Sequence, residues 1–439
     1  MPPDREDGDI TLLQAVAIEV GLIVGGALFS LTGVAVGIAG PGVVFSFGIA
    51  FGIAILGLVP TAMLGSAYPT TGGNYRYPAR FVSRPLAFLA AWGLGVSMFG
   101  GGLPLYALTA GQYVDPMVPI GPELFGFLML TGFFSINLAG IRPAATVQLL
   151  MFVSLVVALG SFVVLGVPAI EPGNLTPTFP GGAAGVLTAA GVLYFVCLGA
   201  NFVVDIGGDV RDATVTIPQS FAVSVPIVLA IYGSVALVTV GVAGTELMAG
   251  STLAVPAELF LPAPMRSLFV LGGALFAIAT SMNAVYLITP KYLEVLAEDG
   301  LFPDALARTN DRFGTAHWGL VVGYVLSAAA LFSPLPIAEL GSLLGFGGAF
   351  LVIPVMLAAI TVVRNRDVAG DAPLPFSPRL IAAMAGLAIP LNALLLVLLA
   401  SQSPAVFAGW LGLLVLGGTY YVVRTWRGHG ATETPTTEI

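Results

Sequence analysis

The 439-residue chain is 57% hydrophobic and 9% charged, with a mean hydropathy of +0.99, whereas a soluble domain carries roughly 25% charged residues. That composition excludes a soluble globular protein and predicts a polytopic membrane protein. A single cysteine, Cys197, excludes an intramolecular disulfide and a cysteine metal cluster, and two histidines argue against a histidine metal site.

Residues 1–9 are acidic and polar, and the first apolar segment is too long for the core of a cleavable signal peptide, so it is expected to stay as a helix. Apolar windows of at least ~17 residues predict twelve spans, at 12–36, 41–64, 85–113, 121–141, 143–167, 184–206, 218–243, 264–290, 317–333, 337–363, 379–400 and 404–424. With both termini cytoplasmic, fourteen of the fifteen basic residues fall on the inner side and only Arg266 lies outside. Such a bias fixes orientation and supports the helix count, because a missed span would scatter the later charges. The acidic balance, a pI near 4.7 and one lysine, Lys291, point to a prokaryotic host that is salt-adapted or GC-rich. The outer loop after span 5 holds a glycosylation pattern, Asn174-Leu175-Thr176, of a kind that arises often by chance. Both ends of the chain read as solvated tails.

The first span carries Gly25-Gly26 at mid-depth. Each glycine gives up roughly 1 kcal/mol of helix propensity relative to alanine. Two readings stay open: a small-residue notch for a neighbouring helix, or a break, which at membrane depth must pack in protein or line a watered cavity. Span 6 carries a similar signal, Phe195-Val196-Cys197-Leu198-Gly199-Ala200-Asn201. If the chain is two inverted five-helix repeats, spans 1 and 6 are equivalent, and equivalent interruptions are the best sequence pointer to a transporter's binding site.

Four segments then carry a resemblance. The run from Tyr68 to Tyr77, YPTTGGNYRY, resembles the P-x-x-G-G-x-Y-x-Y segment of the amino acid–polyamine–organocation superfamily. Gly25-Gly26-Ala27-Leu28-Phe29 resembles that family's G-S-G-I-F break. The run from Gly208 to Pro218 is similar to its E-E-V-K-N-P-x-R-T-I-P loop, and Ala297 to Pro303 is similar to A-R-D-G-x-x-P. The resemblance implies an all-α membrane permease with a ten-helix inverted-repeat core of the leucine-transporter type over 1–363, its repeats near 12–167 and 184–363. Two further helices at 379–424 and a cytoplasmic tail at 425–439 complete it. There are departures: Gly26 stands where a serine is frequent, Ala27 replaces the third motif residue, and Gly208 and Ala213 replace an acid and a proline. Some members fill a cation site with a helix 5 lysine, and residues 148–164 hold none.

Two breaks suit a zwitterion. The N–H groups of Gly26, Ala27 and Leu28, at the positive end of a helix dipole, suit a carboxylate. Carbonyls freed between about Phe195 and Leu198 suit an ammonium. The candidate substrate site is therefore Gly25, Gly26, Ala27, Leu28, Phe195, Cys197, Leu198, Gly199 and Asn201, with Met98 and Phe346 as side-chain pocket candidates on spans 3 and 10. The lack of a nearby acid on those two spans favours a neutral substrate. The resemblance also implies a place for a coupling ion: related sodium-coupled folds set hydroxyls of this span with helix 1 carbonyls around Na+, which makes Thr280 and Ser281 on span 8 the candidates for an Na+ site of oxygen ligands. Glu19 and Asp205, each six residues or roughly 9 Å of helix rise from its break, are candidates for carrying a coupling proton. The alternative for both acids is a tie to an arginine or a backbone donor at the inner side.

The expectation is a secondary active transporter of amino acids in the cytoplasmic membrane, coupled to Na+ or H+, with no other cofactor, nucleic acid or obligate protein partner beyond the lipid around it. An amine carrier, an exchanger or a non-transporting sensor of the same fold is the alternative. No paired His/Asp, serine triad or phosphate loop with lysine supports a membrane enzyme, and polar residues are too sparse in the spans to line a channel.

Overall fold

The computed structural model describes residues 8–115, 117–118, 120–197, 199–310, 315–365 and 377–426. Among these the chain is helical, with two isolated β-bridges, Ile10 to Val210 and Thr71 to Ile206. Leu198, Arg312, Arg366, residues 1–7 and the tail from 427 lie outside the described residues, as do the side chains of Ala27 and Phe195.

The first span is two helices. α1 (Leu12–Ile23) opens on a reciprocal cap, Thr11 N–H to Gln14 Oε1 at 3.0 Å and Gln14 N–H to Thr11 Oγ1 at 3.4 Å. Val24 and Gly25 leave helical geometry (ψ of 3° and −145°), and α2 (Gly26–Ala39) resumes. α3 (Val43–Ala67) follows. The stretch expected as loop between spans 2 and 3 contains a helix, α4 (Gly73–Phe81), started by Gly72 at φ 67°. A Cβ at Gly72 would also lie 2.7 Å from Val295 Cγ2, so both the backbone and the space call for glycine.

The third span runs through α5 (Arg84–Ser97), a π segment (Met98–Gly102) and α6 (Leu103–Val114). α7 (Pro122–Leu138) and α8 (Ile141–Gly166) come next. The sixth span is α9 (Gly182–Cys197) followed by a 3-10 segment (Gly199–Asp205). α10 (Ala213–Met248) is longer than its window and bends at Gly244. The expected outer loop after it holds α11 (Ala254–Phe260); α12 (Ala263–Leu268) then opens the eighth window, and a second π segment (Phe269–Leu275) leads into α13 (Phe276–Glu298). α14 (His317–Leu331), α15 (Ile337–Arg364), α16 (Pro378–Gln402) and α17 (Pro404–Trp426) end the described chain.

Eight segments are long and apolar enough to cross a membrane, and four shorter apolar helices, Leu12–Ile23, Pro122–Leu138, Gly182–Tyr194 and His317–Leu331, accompany them. The burial pattern is that of a protein dissolved in lipid. On α8, Leu150, Val153, Val157 and Val164 are more than half exposed, at helical spacing along one stripe, while Gln148, Leu155 and Phe162 on the other side are fully buried. Glu19, Asp205, Ser220, Ser224, Thr280, Ser281 and Asn283 are likewise buried. Polar side chains go inward because lipid offers them no hydrogen bond. α16 and α17 sit at the periphery, with Leu387, Leu394, Val397, Val415 and Leu416 outward.

Candidate functional site

The interruption of the first span is a cluster of polar contacts made by its neighbours. Gly26 N–H donates to Ser281 Oγ of α13 at 3.0 Å. Gly21 O receives Thr280 Oγ1 at 3.1 Å and Ser281 Oγ at 3.2 Å. The Tyr232 hydroxyl of α10 donates to Ile23 O. These partners supply what lipid cannot, so a break at this depth is stable. The glycines are there for close approach as well. A Cβ on Gly25 would overlap Ser281 Oγ and Gly21 O, and one on Gly26 would lie 2.7 Å from Tyr106 Cδ1 of α6. Break and packing notch, read from the sequence as alternatives, are both realised.

The second interruption touches the first. A Cβ on Gly199 would lie 2.7 Å from Ile23 N and 2.8 Å from the Leu22 carbonyl carbon, so the two broken segments meet backbone to backbone. Two turns of polar chemistry flank that contact. Cys197 ends α9, fully buried, with Sγ 3.5 Å from Leu193 O. Asn201 is 3% exposed, and both atoms of its side-chain amide are buried with no partner among the described residues.

The expected carboxylate cradle is altered in this structure. Two of its three N–H groups are engaged, Gly26 with Ser281 and Leu28 with Gly25 O at 3.1 Å. The pocket candidates also move. Phe346 packs on Phe407 and Trp410 of α17, with ring centroids 5.1 and 5.8 Å away, which makes it part of the seam with the last helix. Met98 lies in the π segment beside Gly102. The residue of the third span that stands over Gly26 is Tyr106, two turns further on, and it also faces Ser281.

Thr280 Oγ1 donates within its own helix to Ala277 O at 2.7 Å as well as reaching Gly21 O. Gly21 O, Ala277 O, Thr280 Oγ1 and Ser281 Oγ are thus linked by contacts of 2.7 to 3.2 Å. Two carbonyls and two hydroxyls with no sulfur or nitrogen fit a hard monovalent cation.

The two buried acids have separate surroundings. Asp205 Oδ1 accepts from Asn74 N–H at 2.9 Å, and its Oδ2 accepts from Asn74 Nδ2 at 2.7 Å and the Tyr292 hydroxyl at 2.6 Å. Asp205 O also takes Gly72 N–H, and Asn201 O takes Asn74 Nδ2. Asp205 therefore ties α4, the 3-10 segment and α13 together. Around it, Arg76 pairs with Glu298, Arg84 and the Tyr75 hydroxyl with Asp299, and Lys291 with Asp209 and Glu294. Burial, with the Asp299 charge behind it, holds the Tyr75 phenol well above its usual range and so as a donor. Glu19 is different. Its Oε1 accepts from Ser220 Oγ of α10 at 2.6 Å, Ser224 faces it one turn on, and Oε2 is buried with no partner among the described residues.

Asn74, Tyr106, Gln148, Ser220, Tyr232 and Tyr292 were not singled out from the sequence. Their signal was there: Asn74 sits inside the Gly-Gly-Asn-Tyr run, Gln148 is the lone amide in its window, and Ser220 with Ser224 repeats a hydroxyl at i, i+4.

The chain matches the family model described as amino acid permease over residues 10–420. It is 30% identical to an uncharacterised transporter of Mycobacterium tuberculosis over 75% of this chain and 74% of that protein. It is 25% identical to the branched-chain amino acid permease of Bacillus subtilis over 87% of this chain and 84% of the relative, and 25% identical to that organism's methylthioribose transporter over 84% and 83%. With touching interruptions inside a bundle of apolar helices and a family match along nearly its whole length, the chain belongs to the amino acid permease family and is a multi-pass membrane transporter, not an enzyme.

Proposed function

We propose that the protein is a secondary active transporter of a neutral α-amino acid in the cytoplasmic membrane, working by alternating access around its two broken spans. In this reading it has twelve spans in a five-plus-five inverted repeat with two added helices, and both termini are cytoplasmic. The observation that carries it is the contact of Gly199 with the Leu22–Ile23 backbone, beside the partnerless Asn201 amide. A zwitterion lodged there has its carboxylate at the start of α2, where Ser281 yields the Gly26 N–H, and its ammonium at the carbonyl end of α9, with Asn201 completing the polar set. Among the described residues no charged side chain is part of this set, which supports a neutral substrate, and one relative is named for branched-chain amino acids. The grouping of Arg76, Arg84, Arg424 and Lys291 at one end, Arg424 on Gly300 O, supports a cytoplasmic assignment of that end. Asp205 then closes the cytoplasmic side.

Coupling to Na+ is the reading the oxygen cluster favours. Gly21 O, Ala277 O, Thr280 Oγ1 and Ser281 Oγ would hold the ion, which supplies fixed positive charge beside the broken span. Because Ser281 also holds Gly26 N–H, the ion site and the carboxylate site share a residue. H+ coupling through Glu19 is the second reading, favoured by its partnerless Oε2. The test is uptake of labelled neutral amino acids into proteoliposomes with and without an inward Na+ gradient at fixed pH. Na+-dependent accumulation is expected. Sodium-independent uptake abolished by Glu19→Gln would move coupling to the acid, and no amino acid uptake would bring the amine-carrier and methylthioribose-like readings forward.

A further inference from the structure

α8 reaches the oxygen cluster with one polar side chain. Gln148 Nε2 donates to Ala17 O at 3.3 Å and lies in the notch left by the missing side chain of Gly21, where a Cβ would also be 3.0 Å from Thr280 Cβ. Gln148 Oε1 accepts from Asn283 Nδ2 at 2.9 Å, which also donates to Ala144 O. Asn283 Oδ1 in turn accepts from Asn137 Nδ2 at 2.8 Å, and that amide also donates to Phe133 O. Three amides, each at most 3% exposed, thus run in series from α7 through α13 and α8 to α1, every one donating in the direction of α1.

The far end of the series is open. Asn137 Oδ1 is buried with no partner among the described residues. The residue Asn137 lines a cavity of about 50 Å³ walled also by Tyr286, Lys291, Glu294, Asp209 and Thr315. The Tyr286 hydroxyl is likewise buried and partnerless. Such a space holds about three waters, and Lys291, Asp209, Glu294 and Thr315 in its lining offer the polar partners such waters need. Lys291 spans the cavity between Asp209 and Glu294 at 3.5 and 3.3 Å.

A purely apolar packing of α7, α8 and α13 would avoid three buried amides, each expensive unless satisfied. Their arrangement has one shared target, the last turns of α1. By holding Ala17 O from outside, Gln148 fixes the helix turn that presents Gly21 O, the carbonyl that both Thr280 and Ser281 reach. Resting on the Na+ reading above, we propose that Gln148, Asn283 and Asn137 are positioning residues of the coupling-cation site, and that the cavity at Asn137 is the watered mouth through which that site meets the cytoplasmic side. The amides touch no substrate. They orient a ligand carbonyl, as outer partners of metal ligands do.

The test is thermal unfolding of the purified full-length protein titrated with NaCl, ionic strength held by N-methylglucamine chloride, and read alongside the substrate KM at saturating Na+. The wild type is expected to gain Tm along a saturating Na+ curve. Gln148→Leu is expected to move the midpoint of that curve up by about tenfold or more, leaving the substrate KM at saturating Na+ within about twofold. Asn137→Leu, which spares Gln148 itself, is expected to move it the same way by a smaller factor. Ser220→Ala, which removes a hydrogen bond to Glu19 and none to the oxygen cluster, is expected to leave it unmoved. A wild type with no Na+ response would remove the Na+ reading and this proposal with it. A wild-type response with unshifted midpoints in Gln148→Leu, or in Asn137→Leu where the first variant does not fold, would overturn the proposal alone.

Discussion

The two broken spans look alike in sequence, a small-residue interruption with an acid six residues to one side, yet the fold treats them in opposite ways. Around the first span, the free backbone groups are answered by Ser281, Thr280 and Tyr232, while the acid, Glu19, keeps one oxygen unanswered. Around the sixth, the acid takes three donors from Asn74 and Tyr292, while the amide of Asn201 is left unanswered. Orphan polar groups in a packed interior cost free energy, and so they mark places where a further partner is expected. By that argument the sixth span offers a side chain to the substrate and spends its acid on closure. The first span offers backbone, held meanwhile by α13.

The harshest way to break this comparison is at the glycines. Gly26→Val drives a branched side chain into Tyr106, and uptake in proteoliposomes is expected to fall to background with monodisperse protein still recovered. Retained uptake would dismiss the first interruption as a site. Next comes Asp205→Asn, which puts an amide N–H against donors and loses charge-assisted hydrogen bonds of about 2 kcal/mol. The closed cytoplasmic side should weaken by roughly 20- to 30-fold, seen as faster maleimide labelling of Cys197, the only cysteine in the chain. An unchanged labelling rate would reduce Asp205 to a tie without a gating role. Asn201→Ala is milder. It should raise the substrate KM roughly tenfold, about 1.4 kcal/mol, with Tm unchanged or higher because two orphan atoms are removed. Glu19→Gln should do least. One hydroxyl partner and no cation suit a neutral group, so Na+-driven uptake should stay within about twofold of wild type, and its loss would reverse the roles assigned to the two acids.

The first interruption was legible because a glycine pair at mid-span weakens a helix and Gly25 to Phe29 resembles a known break, and the second because a small residue and an amide, Gly199 and Asn201, fall at mid-depth of a later window. The acids were legible for the same reason: charge in a membrane window stands out. Their roles were not. Whether Glu19 or Asp205 is answered depends on Ser220, Asn74 and Tyr292, which are separated from them by 201, 131 and 87 residues. The surroundings of Phe346 were not legible either, because an aromatic on a buried face fits a pocket and a helix seam equally well until Phe407 and Trp410 are seen beside it.

Sequence alone determined a helical membrane protein, the rough positions of its helices, and two stretches where a break or a close packing notch is expected. Those follow from local physics, since a run of apolar residues has one low-energy form in lipid and a glycine pair weakens it in place. The tertiary structure decided which freed backbone groups have partners, that the two interruptions touch, that four oxygens gather at Gly21, and that a line of amides backs them. Hydrogen bonds between side chains from distant spans depend on how helices cross and rotate, and helix rotation in lipid is set by packing against neighbours, which no single span encodes.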